Sequence, residues 1–372
     1  MPPIQIENIT KQFGEKKALD EISLTIKERS FTCILGPPGA GKTTLLRILA
    51  GLEFPDGGRI FIDEKEVTSW TPTQRGISFV SQLFVLYPHM KVYDNIAYPL
   101  KLKKIAKEER DRKIKKVVQF LKIAHLLDRA PSQLSGGEQQ RVAIARALVK
   151  GAKVYLFDEP LTNLDYKIRE DMRAELQRMQ KRLGQTIVYA ASDPVEVLAM
   201  SDNIVILDGG KVEQVGGTRE VYNHPQTLFA ATYFGYPRMN TFSAFLTRND
   251  ERVVLDAGSF SIDVTTLKER FLADITEYII AVRPENILVA EDRFSAGIML
   301  ETKALLSEII GSDTILHLEI PGLIESVRVF LPRAYPVSPG KKLWIRFASK
   351  DLFVFEKKSN KFVCQGEEIG PH

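Results

Sequence analysis

Cysteine is scarce in this sequence, and long apolar runs are missing from it. Two cysteines, Cys33 and Cys364, among 372 residues leave no room for a disulfide framework or a cysteine-based zinc cluster. No apolar stretch approaches the ~18 residues that a membrane-spanning helix requires. The first residues also lack the basic and apolar regions of a signal peptide. We therefore expect that any membrane role of this chain depends on a partner protein.

An excess of charge of one sign is also lacking. The chain has 51 basic and 47 acidic residues, a net charge of +4, which is too even to indicate nucleic-acid binding. Its 44% hydrophobic and 26% charged residues are typical of an ordinary globular protein. The basic run from Lys101 to Lys116 is interleaved with acidic residues, and we predict that it forms a solvated helix face.

The most informative segment is rich in glycine and follows a short apolar run. It fits the phosphate-binding pattern G-x-x-x-x-G-K-[ST] and lies between a predicted buried strand, Phe31–Leu35, and a predicted helix. Backbone N–H groups of such a loop surround anionic oxygens, and the helix N-terminus adds a favourable dipole. We predict that Lys42 reaches the terminal phosphates and that the Thr43 hydroxyl ligates Mg²⁺. The candidate nucleotide-binding residues of the loop are Gly36, Pro37, Pro38, Gly39, Ala40, Gly41, Lys42, Thr43 and Thr44.

Two adjacent carboxylates follow a second apolar run. Val154–Phe157 predicts a central strand of a parallel sheet, and Asp158 and Glu159 stand at its carboxyl end, where open α/β sheets bind ligands. Neighbouring carboxylates at such an edge require a cation or an acid–base role. Asp158 suits Mg²⁺, and Glu159 suits the polarisation of an attacking water molecule.

Two further features each allow a structural and a functional interpretation. Ser135 and Glu138 form a capping-box pattern before a predicted helix, but Gly136 and Gly137 beside the Ser135 hydroxyl also form a second candidate anion site. Phe13 lies between two predicted strands. Its ring either packs into the core or stacks on an adenine base, and the sequence alone leaves the two alternatives even.

The pattern changes after about Tyr236. Helical periodicity nearly disappears, and short alternating segments separated by Gly, Pro, Asp and Asn predict an antiparallel β-barrel of the OB type. We therefore predict an α/β P-loop domain at 1–235, with a helical subdomain at about 83–150. A small all-β barrel domain at 236–372 follows a linker at Gly235–Pro237.

The order of these motifs resembles the ABC-type ATPases. The phosphate loop, Gln82, the Leu-Ser-Gly-Gly-Glu signature and the Asp158–Glu159 strand end occur in the order of that family, over Ile4 to about Arg238. The C-terminal part is similar to the extra β-domain (TOBE-like) of maltose-type and glycerol-3-phosphate-type sugar import ATPases. Ala281–Glu285 stands where that subfamily has a G-V-R-P-E segment.

The resemblance implies a role for each matching residue. Phe13 would stack on adenine, Gln82 would sense Mg²⁺ and couple the site to a permease, and Glu159 would be the catalytic base. Ser135, Gly136, Gly137 and Glu138 would act on the ATP of the opposite subunit, and Asp165 would cross the dimer interface. Thr43, Gln82 and Asp158 would serve the metal. The segment near Gln82 and Tyr87 would form the groove for a cytoplasmic helix of the permease.

One position departs from the family pattern. The family has histidine before an aspartate in the segment that aligns with Ala191–Val197, and here Ser192 occupies that switch-histidine position. Three interpretations stay open. The chain forms the weaker half of an asymmetric ATPase pair, or it forms a homodimer that hydrolyses slowly or uses another group, or the change is neutral because Glu159 dominates the chemistry.

The implied function is ATP-driven uptake of a carbohydrate or polyol, such as a sugar, glycerol or glycerol phosphate. ATP and Mg²⁺ would be the cofactors. A second ATPase subunit and transmembrane permeases would be the partners, with a solute-binding protein as an indirect partner and no nucleic acid. The chain would lie peripherally at the cytoplasmic face of the plasma membrane. The alternative is a nucleotide-gated regulatory subunit with little hydrolysis of its own.

Overall fold

The chain forms two compact units, Met1–Val221 and Tyr222–His372. A computed structural model describes residues 3–83, 85–162, 166–249, 251–272, 274–323 and 325–369. No helix in these described ranges has both the length and the apolar content that crossing a bilayer requires. Each unit has its own hydrophobic core.

The first unit contains two β-sheets. An antiparallel sheet has the strand order β2-β1-β4-β5, and a second sheet has the order β10-β9-β3-β8-β7-β6. In the second sheet, β3, β6, β7, β8 and β9 pair in parallel, and β10 is antiparallel to β9. The strands are β1 (Ile4–Phe13), β2 (Lys16–Ile26), β3 (Phe31–Leu35), β4 (Gly57–Ile62), β5 (Lys65–Glu66), β6 (Ile77–Val80), β7 (Val154–Asp158), β8 (Thr186–Ala191), β9 (Asn203–Asp208) and β10 (Lys211–Gly217).

Helices pack on the second sheet. The helices that come between β6 and β7 in chain order form a separate layer. Leu45, Leu46, Ile48 and Leu49 of α1 are fully buried in the core between the two sheets, which explains the apolar spacing of that helix. Within the predicted helical subdomain, α3 and α5 pack together and α4 lies against both. The helices are α1 (Lys42–Ala50), α2 (Pro72–Arg75), α3 (Val92–Leu102), α4 (Lys107–Phe120), α5 (Gly136–Val149), α6 (Tyr166–Leu183), α7 (Pro194–Met200) and α8 (Thr218–Asn223).

The register of the parallel strands brings distant parts of the sequence to one edge. Leu35 at the end of β3 lies opposite Ala191 at the end of β8, and Asp158 at the end of β7 lies opposite Ala190. Parallel strands end at the same sheet edge, so the residues that follow them gather there. This edge holds the phosphate loop, Glu159 and Ser192.

The second unit is formed by two antiparallel sheets. Their orders are β13-β12-β11-β14-β20-β21 and β15-β19-β16-β17-β18, and both sheets contribute to one core. The prediction of an α/β P-loop domain followed by an all-β domain of the OB type is confirmed. The elements are α9 (Leu228–Tyr233), β11 (Asn240–Arg248), β12 (Val253–Asp256), β13 (Ser261–Asp263), β14 (Glu277–Val282), β15 (Leu288–Ala290), β16 (Ile298–Ile310), β17 (Asp313–Glu319), β18 (Val327–Leu331), β19 (Lys342–Phe347), β20 (Leu352–Glu356) and β21 (Phe362–Gln365).

The division between the two units falls after Val221, earlier than the boundary at 235/236 that the sequence suggests. Helix α9 explains the difference, because its Ala231 is fully buried in a cluster with Ala281, Phe353 and Phe355 of the β-domain. The segment before Gly235 therefore packs as part of the second unit. The small residues of α9 gave no sign of this packing in the sequence.

We expect Gly366→Ala to destabilise the second unit strongly. A Cβ atom at Gly366 would lie 1.6 Å from the carbonyl oxygen of Ser349, so the backbone would have to move. A loss of roughly 2–4 kcal/mol in the free energy of unfolding is expected for such overpacking, measured by urea denaturation. Gly217→Ala is the matched control, because its new methyl group would meet only the flexible Glu220 side chain at 3.7 Å. Equal stability of the two variants would contradict this prediction.

Candidate nucleotide-binding site

The phosphate loop connects β3 to α1 under tight steric constraint. Gly36 donates its N–H to Ala191 O at 3.3 Å, which ties the loop to the end of β8. Gly41 has φ +101°, and a Cβ atom there would lie 2.6 Å from Ala18 O, so only glycine fits. Gly41 is also the N-cap of α1, and no side chain caps that helix. The first N–H groups of α1 therefore suit an anionic ligand.

Lys42 is the central cation of the sheet edge. Only 5% of its surface is exposed. Its ammonium group donates to Gly36 O at 2.7 Å, to Pro37 O at 3.0 Å and to Ser192 Oγ at 2.8 Å. It also forms an ion pair of 3.1 Å with Glu159 Oε1. Lys42 thus connects the loop to Ser192 and Glu159, three segments that are far apart in the sequence.

The two carboxylates at the end of β7 have different surroundings. Asp158 is 3% exposed and accepts a hydrogen bond of 2.9 Å from Thr43 Oγ1, and burial raises the pKa of its carboxyl group. Asp158 and Thr43 offer hard oxygen ligands at one place, a donor set that fits Mg²⁺ when phosphate oxygens complete its shell. Glu159 has φ +45° and turns away from the strand, and its N–H donates to Ala190 O at 3.1 Å.

Ser192 lies between the lysine and the glutamate. Its hydroxyl accepts from Lys42 and donates to Glu159 Oε1 at 2.6 Å. The next residue, Asp193, is the N-cap of α7 and accepts from Val195 N at 2.9 Å, which fixes the chain just after Ser192. Glu196 in the first turn of α7 is buried and accepts a hydrogen bond from the Tyr189 hydroxyl of β8. The position of Ser192 is therefore determined by β8 before it and by α7 after it.

The signature segment begins α5 and has the predicted capping box. Ser135 Oγ accepts from Glu138 N at 3.3 Å, and Glu138 Oε2 accepts from Ser135 N at 2.8 Å. That backbone hydrogen bond lowers the pKa of Glu138. Ser135 and Gly136 are exposed, and a Cβ atom on Gly136 would meet nothing within 4 Å. No hydrogen bond between described residues joins Ser135 to the phosphate loop of the same chain.

Phe13 is the last residue of β1 and is 50% exposed, so its ring is not a core side chain. It lies opposite Lys16 across the β1–β2 hairpin. The Lys16 ammonium group lies 3.9 Å from the place that a Cβ atom on Gly39 would occupy. This hairpin therefore borders the phosphate loop. Lys16 is a candidate phosphate-binding cation that the sequence did not single out, although it follows Phe13 by three positions.

Two other predicted residues lie outside this group. Gln82 is exposed in the turn after β6. Because β6 pairs in parallel with β7, this turn lies at the same edge of the sheet as the end of β7. Asp165 lies outside the described residues. The structure thus brings together Lys42, Thr43, Asp158, Glu159 and Ser192.

A parallel sheet with a lysine-containing phosphate loop, a threonine–aspartate pair and a neighbouring glutamate defines a P-loop nucleoside triphosphatase. The sequence matches the ABC transporter family over residues 19–162 and the TOBE domain family over residues 280–355. The chain belongs to the family of ABC transporter ATP-binding proteins, and it is an ABC-type, transport-coupled ATPase.

Relatives are similar over nearly the whole length. The trehalose/maltose import ATP-binding protein of Thermococcus litoralis is 38% identical, and the match covers 98% of this chain and 100% of the relative. The maltose/maltodextrin import ATP-binding protein of Escherichia coli K12 is 38% identical over 88% of each chain. The corresponding protein of Vibrio parahaemolyticus is 37% identical over 95% of each chain. The predicted resemblance to sugar import ATPases is therefore confirmed.

Solved structures match somewhat more than half of the chain. A dimeric ATP-binding cassette in a post-hydrolysis state with ADP and Pi has 32% identity and a TM-score of 0.54, and the match covers 57% of this chain and 98% of that one. The structure of cbiO1 from Clostridium perfringens, part of the ABC transporter complex cbiONQ, has 30% identity and a TM-score of 0.55, and the match covers 59% of this chain and 90% of that one. These likenesses agree with the ATPase fold of the first unit.

Proposed function

We propose that the chain is the ATP-binding subunit of an importer for a carbohydrate or polyol, and that ATP binding and hydrolysis drive uptake of this solute. The observation that supports this most directly is the 38% identity to a trehalose/maltose import protein across 98% of the chain, including the β-domain. A sugar, glycerol or glycerol phosphate is the solute class. The chain would lie at the cytoplasmic face of the plasma membrane, attached through permease subunits and served indirectly by a solute-binding protein.

In this proposal the residues at the sheet edge have different roles in binding and hydrolysis. The Gly36–Thr44 loop and Lys42 bind the phosphates, and Phe13 stacks on the adenine ring. Thr43 and Asp158 hold Mg²⁺, with Gln82 as a further metal contact and as the link to the permease. Bound Mg²⁺ would neutralise charge on the phosphates. Glu159 accepts a proton from the attacking water molecule, and its place beside Lys42 at the end of β7 supports this role.

The signature is proposed to act on the nucleotide of a second subunit. The exposure of Ser135 and Gly136, together with the well-capped start of α5, supports an anion site that a partner can reach. Asp165 would contact that subunit. We favour a different ATPase subunit as the partner and the site of Lys42 and Ser192 as the weaker one, because a serine hydroxyl has a shorter reach than an imidazole. A homodimer is the alternative.

A groove in the first unit is proposed to receive a permease helix. It has a volume of about 790 Å³, and Val85, Tyr87, Tyr98, Leu102 and Arg146 are among the residues that line it. Val85 and Leu102 are 64% and 67% exposed and line the same groove, and exposed apolar side chains that are grouped in this way support an interface. The Arg146 guanidinium lies 5.2 Å from the Tyr87 ring and donates to Val85 O at 2.6 Å. These contacts preorganise the wall of the groove.

The second candidate function is a nucleotide-gated regulatory subunit. The hydroxyl of Ser192 at the switch-histidine position favours it, since nucleotide binding needs only the loop, Lys42 and the metal pair. The two functions differ in one measurable quantity, the rate of ATP turnover in the assembled complex. A regulatory subunit would bind ATP with no turnover above that of the partner ATPase.

The proposal is tested by purifying the chain from its native membrane with its bound partners and reconstituting the complex into vesicles together with its solute-binding protein. We expect ATP-dependent uptake of at least one labelled solute among maltose, trehalose, glycerol and glycerol phosphate. Vesicles with ADP in place of ATP are the control, and uptake should fall to the leak rate. Uptake of none of these solutes by a complex that hydrolyses ATP would reject the proposed substrate class. Absence of co-purified membrane subunits would reject the importer itself.

A further inference from the structure

The segment from the end of α3 to just after α4 has a large excess of positive charge. Residues 101–122 contain ten basic and three acidic residues, a net charge of +7, whereas the whole chain has +4. The remainder of the chain is therefore net acidic, at −3. Positive charge concentrated in one short segment of an otherwise acidic chain marks a candidate surface for an anionic partner.

Two of the three acidic residues that interleave with this segment in the sequence are engaged by side chains of α3 and α4. Glu109 pairs with Lys113 at 2.9 Å, one helical turn away. Asp111 is half-buried and accepts a hydrogen bond from the Tyr93 hydroxyl. These two carboxylates are already engaged by groups of α3 and α4. Glu108 is the acidic residue left on the exposed face.

The exposed face of α4 is consequently cationic. Arg112, Lys115 and Lys116 share it by helical periodicity, opposite the buried Ile114 and Val118. All three side chains are exposed, and no salt bridge among the described residues engages them. Lys104 and Lys122, exposed at the two ends of α4, extend the charge beyond the helix.

The start of the segment borders the groove of the first unit. Leu102 and Lys103 line that groove, and α4 begins four residues after Lys103. A membrane-embedded partner seated in the groove would place a bilayer on this side of the molecule. This step rests on the proposed function, since a permease is the proposed occupant.

We propose that the face formed by Arg112, Lys115 and Lys116, with Lys104 and Lys122 at its ends, binds the anionic phospholipid headgroups of a bilayer. Basic residues at a membrane surface attract anionic lipids over about one Debye length, roughly 8 Å at physiological salt. The attraction is non-specific for headgroup identity and adds to attachment through the permease. It orients the helical layer toward the membrane.

The test is flotation of the purified full-length chain with vesicles, without permease or nucleotide. We expect binding to vesicles that contain about one-third phosphatidylglycerol and no measurable binding to pure phosphatidylcholine, with loss of binding at high salt. R112Q/K115Q/K116Q should weaken the partition coefficient on the order of 100-fold, from roughly fivefold for each basic residue. K268Q/K358Q/K361Q removes the same charge from exposed lysines of the second unit and should leave binding within about twofold.

Three outcomes would overturn the inference. They are equal binding to both vesicle types, equal loss in the two triple variants, and equally tight binding of a single-stranded oligonucleotide, which would indicate a nucleic-acid surface instead. Thermal melting of each variant shows whether lost binding reflects unfolding, and the single variants Arg112→Gln and Lys115→Gln then repeat the comparison. A negative result here leaves ATP-driven uptake unaffected, because that assay retains the permease.

Discussion

Lys42→Ala is expected to weaken ATP binding by at least about 30-fold. The Lys42 ammonium group is held by Gly36 O and Pro37 O at the mouth of the phosphate loop, where a bound phosphate would exchange with these carbonyl groups. A hydrogen bond from an ammonium group to an anion contributes about 2 kcal/mol, which corresponds to this loss of affinity. Titration calorimetry of the purified chain with ATP and Mg²⁺ gives the dissociation constant directly.

Lys16→Ala is the matched control for this loss. Lys16 also lies beside the loop, but it is exposed, so solvent screens its charge and the expected effect is less than about fivefold. Circular dichroism and thermal melting show whether Lys42→Ala has kept its fold, since the change also leaves Glu159 without its ion pair. An ATP affinity for Lys42→Ala within threefold of the unmodified chain would refute the assignment of this loop as the nucleotide site.

Ser192→His is expected to raise the ATP turnover of the purified chain by at least severalfold and up to about 100-fold. The imidazole extends further from β8 than the serine hydroxyl and adds a donor toward the phosphate end of the site. Transition-state donors of this kind contribute on the order of 10²–10³ in rate. Phosphate release at saturating ATP measures the effect, because the comparison then concerns turnover and not affinity.

Two variants show whether an increase in ATP turnover comes from the added imidazole or only from loss of the serine hydrogen bonds. Ser192→Ala removes the hydrogen bonds to Lys42 and Glu159 without adding a donor, and it should give no increase. The double variant S192H/E159Q should lose the gain, because Glu159 is the proposed base at the same site. Normal turnover by the unmodified chain, or an increase smaller than severalfold in Ser192→His, would reject the asymmetric pair with a weak site.

The sequence predicted local structure well wherever the prediction rested on a short contiguous pattern. The buried strand at Phe31–Leu35, the glycine-rich loop and the helix after it all form as predicted. The capping box at Ser135 and Glu138 is also confirmed in its geometry. Such features depend on backbone conformations that a few neighbouring residues impose. The roles assigned to these residues in the chemistry stay predictions.

The sequence was less informative where a surface or a boundary depends on distant contacts. The prediction of a solvated helix face for the basic run relied on the acidic residues interleaved with it, yet one of them, Asp111, accepts a hydrogen bond from Tyr93 of another helix. Strand β16 runs over Ile298–Ile310 without the clean alternation of a half-buried strand, since Leu305, Leu306, Ile309 and Ile310 are all about half-exposed. Periodicity predicts a side-chain environment only when one partner layer covers the whole element.

By itself the sequence determined that this chain has a phosphate loop, a signature and a carboxylate strand end, and that serine stands where the family has histidine. Only the tertiary structure decided that Ser192 bridges Lys42 and Glu159. The cause is the parallel pairing of β3, β7 and β8. These three strands come from separate parts of the chain, and their register places their carboxyl ends at one edge of the sheet. Residue types follow from the sequence, but the distances between residues 42, 159 and 192 follow from strand pairing.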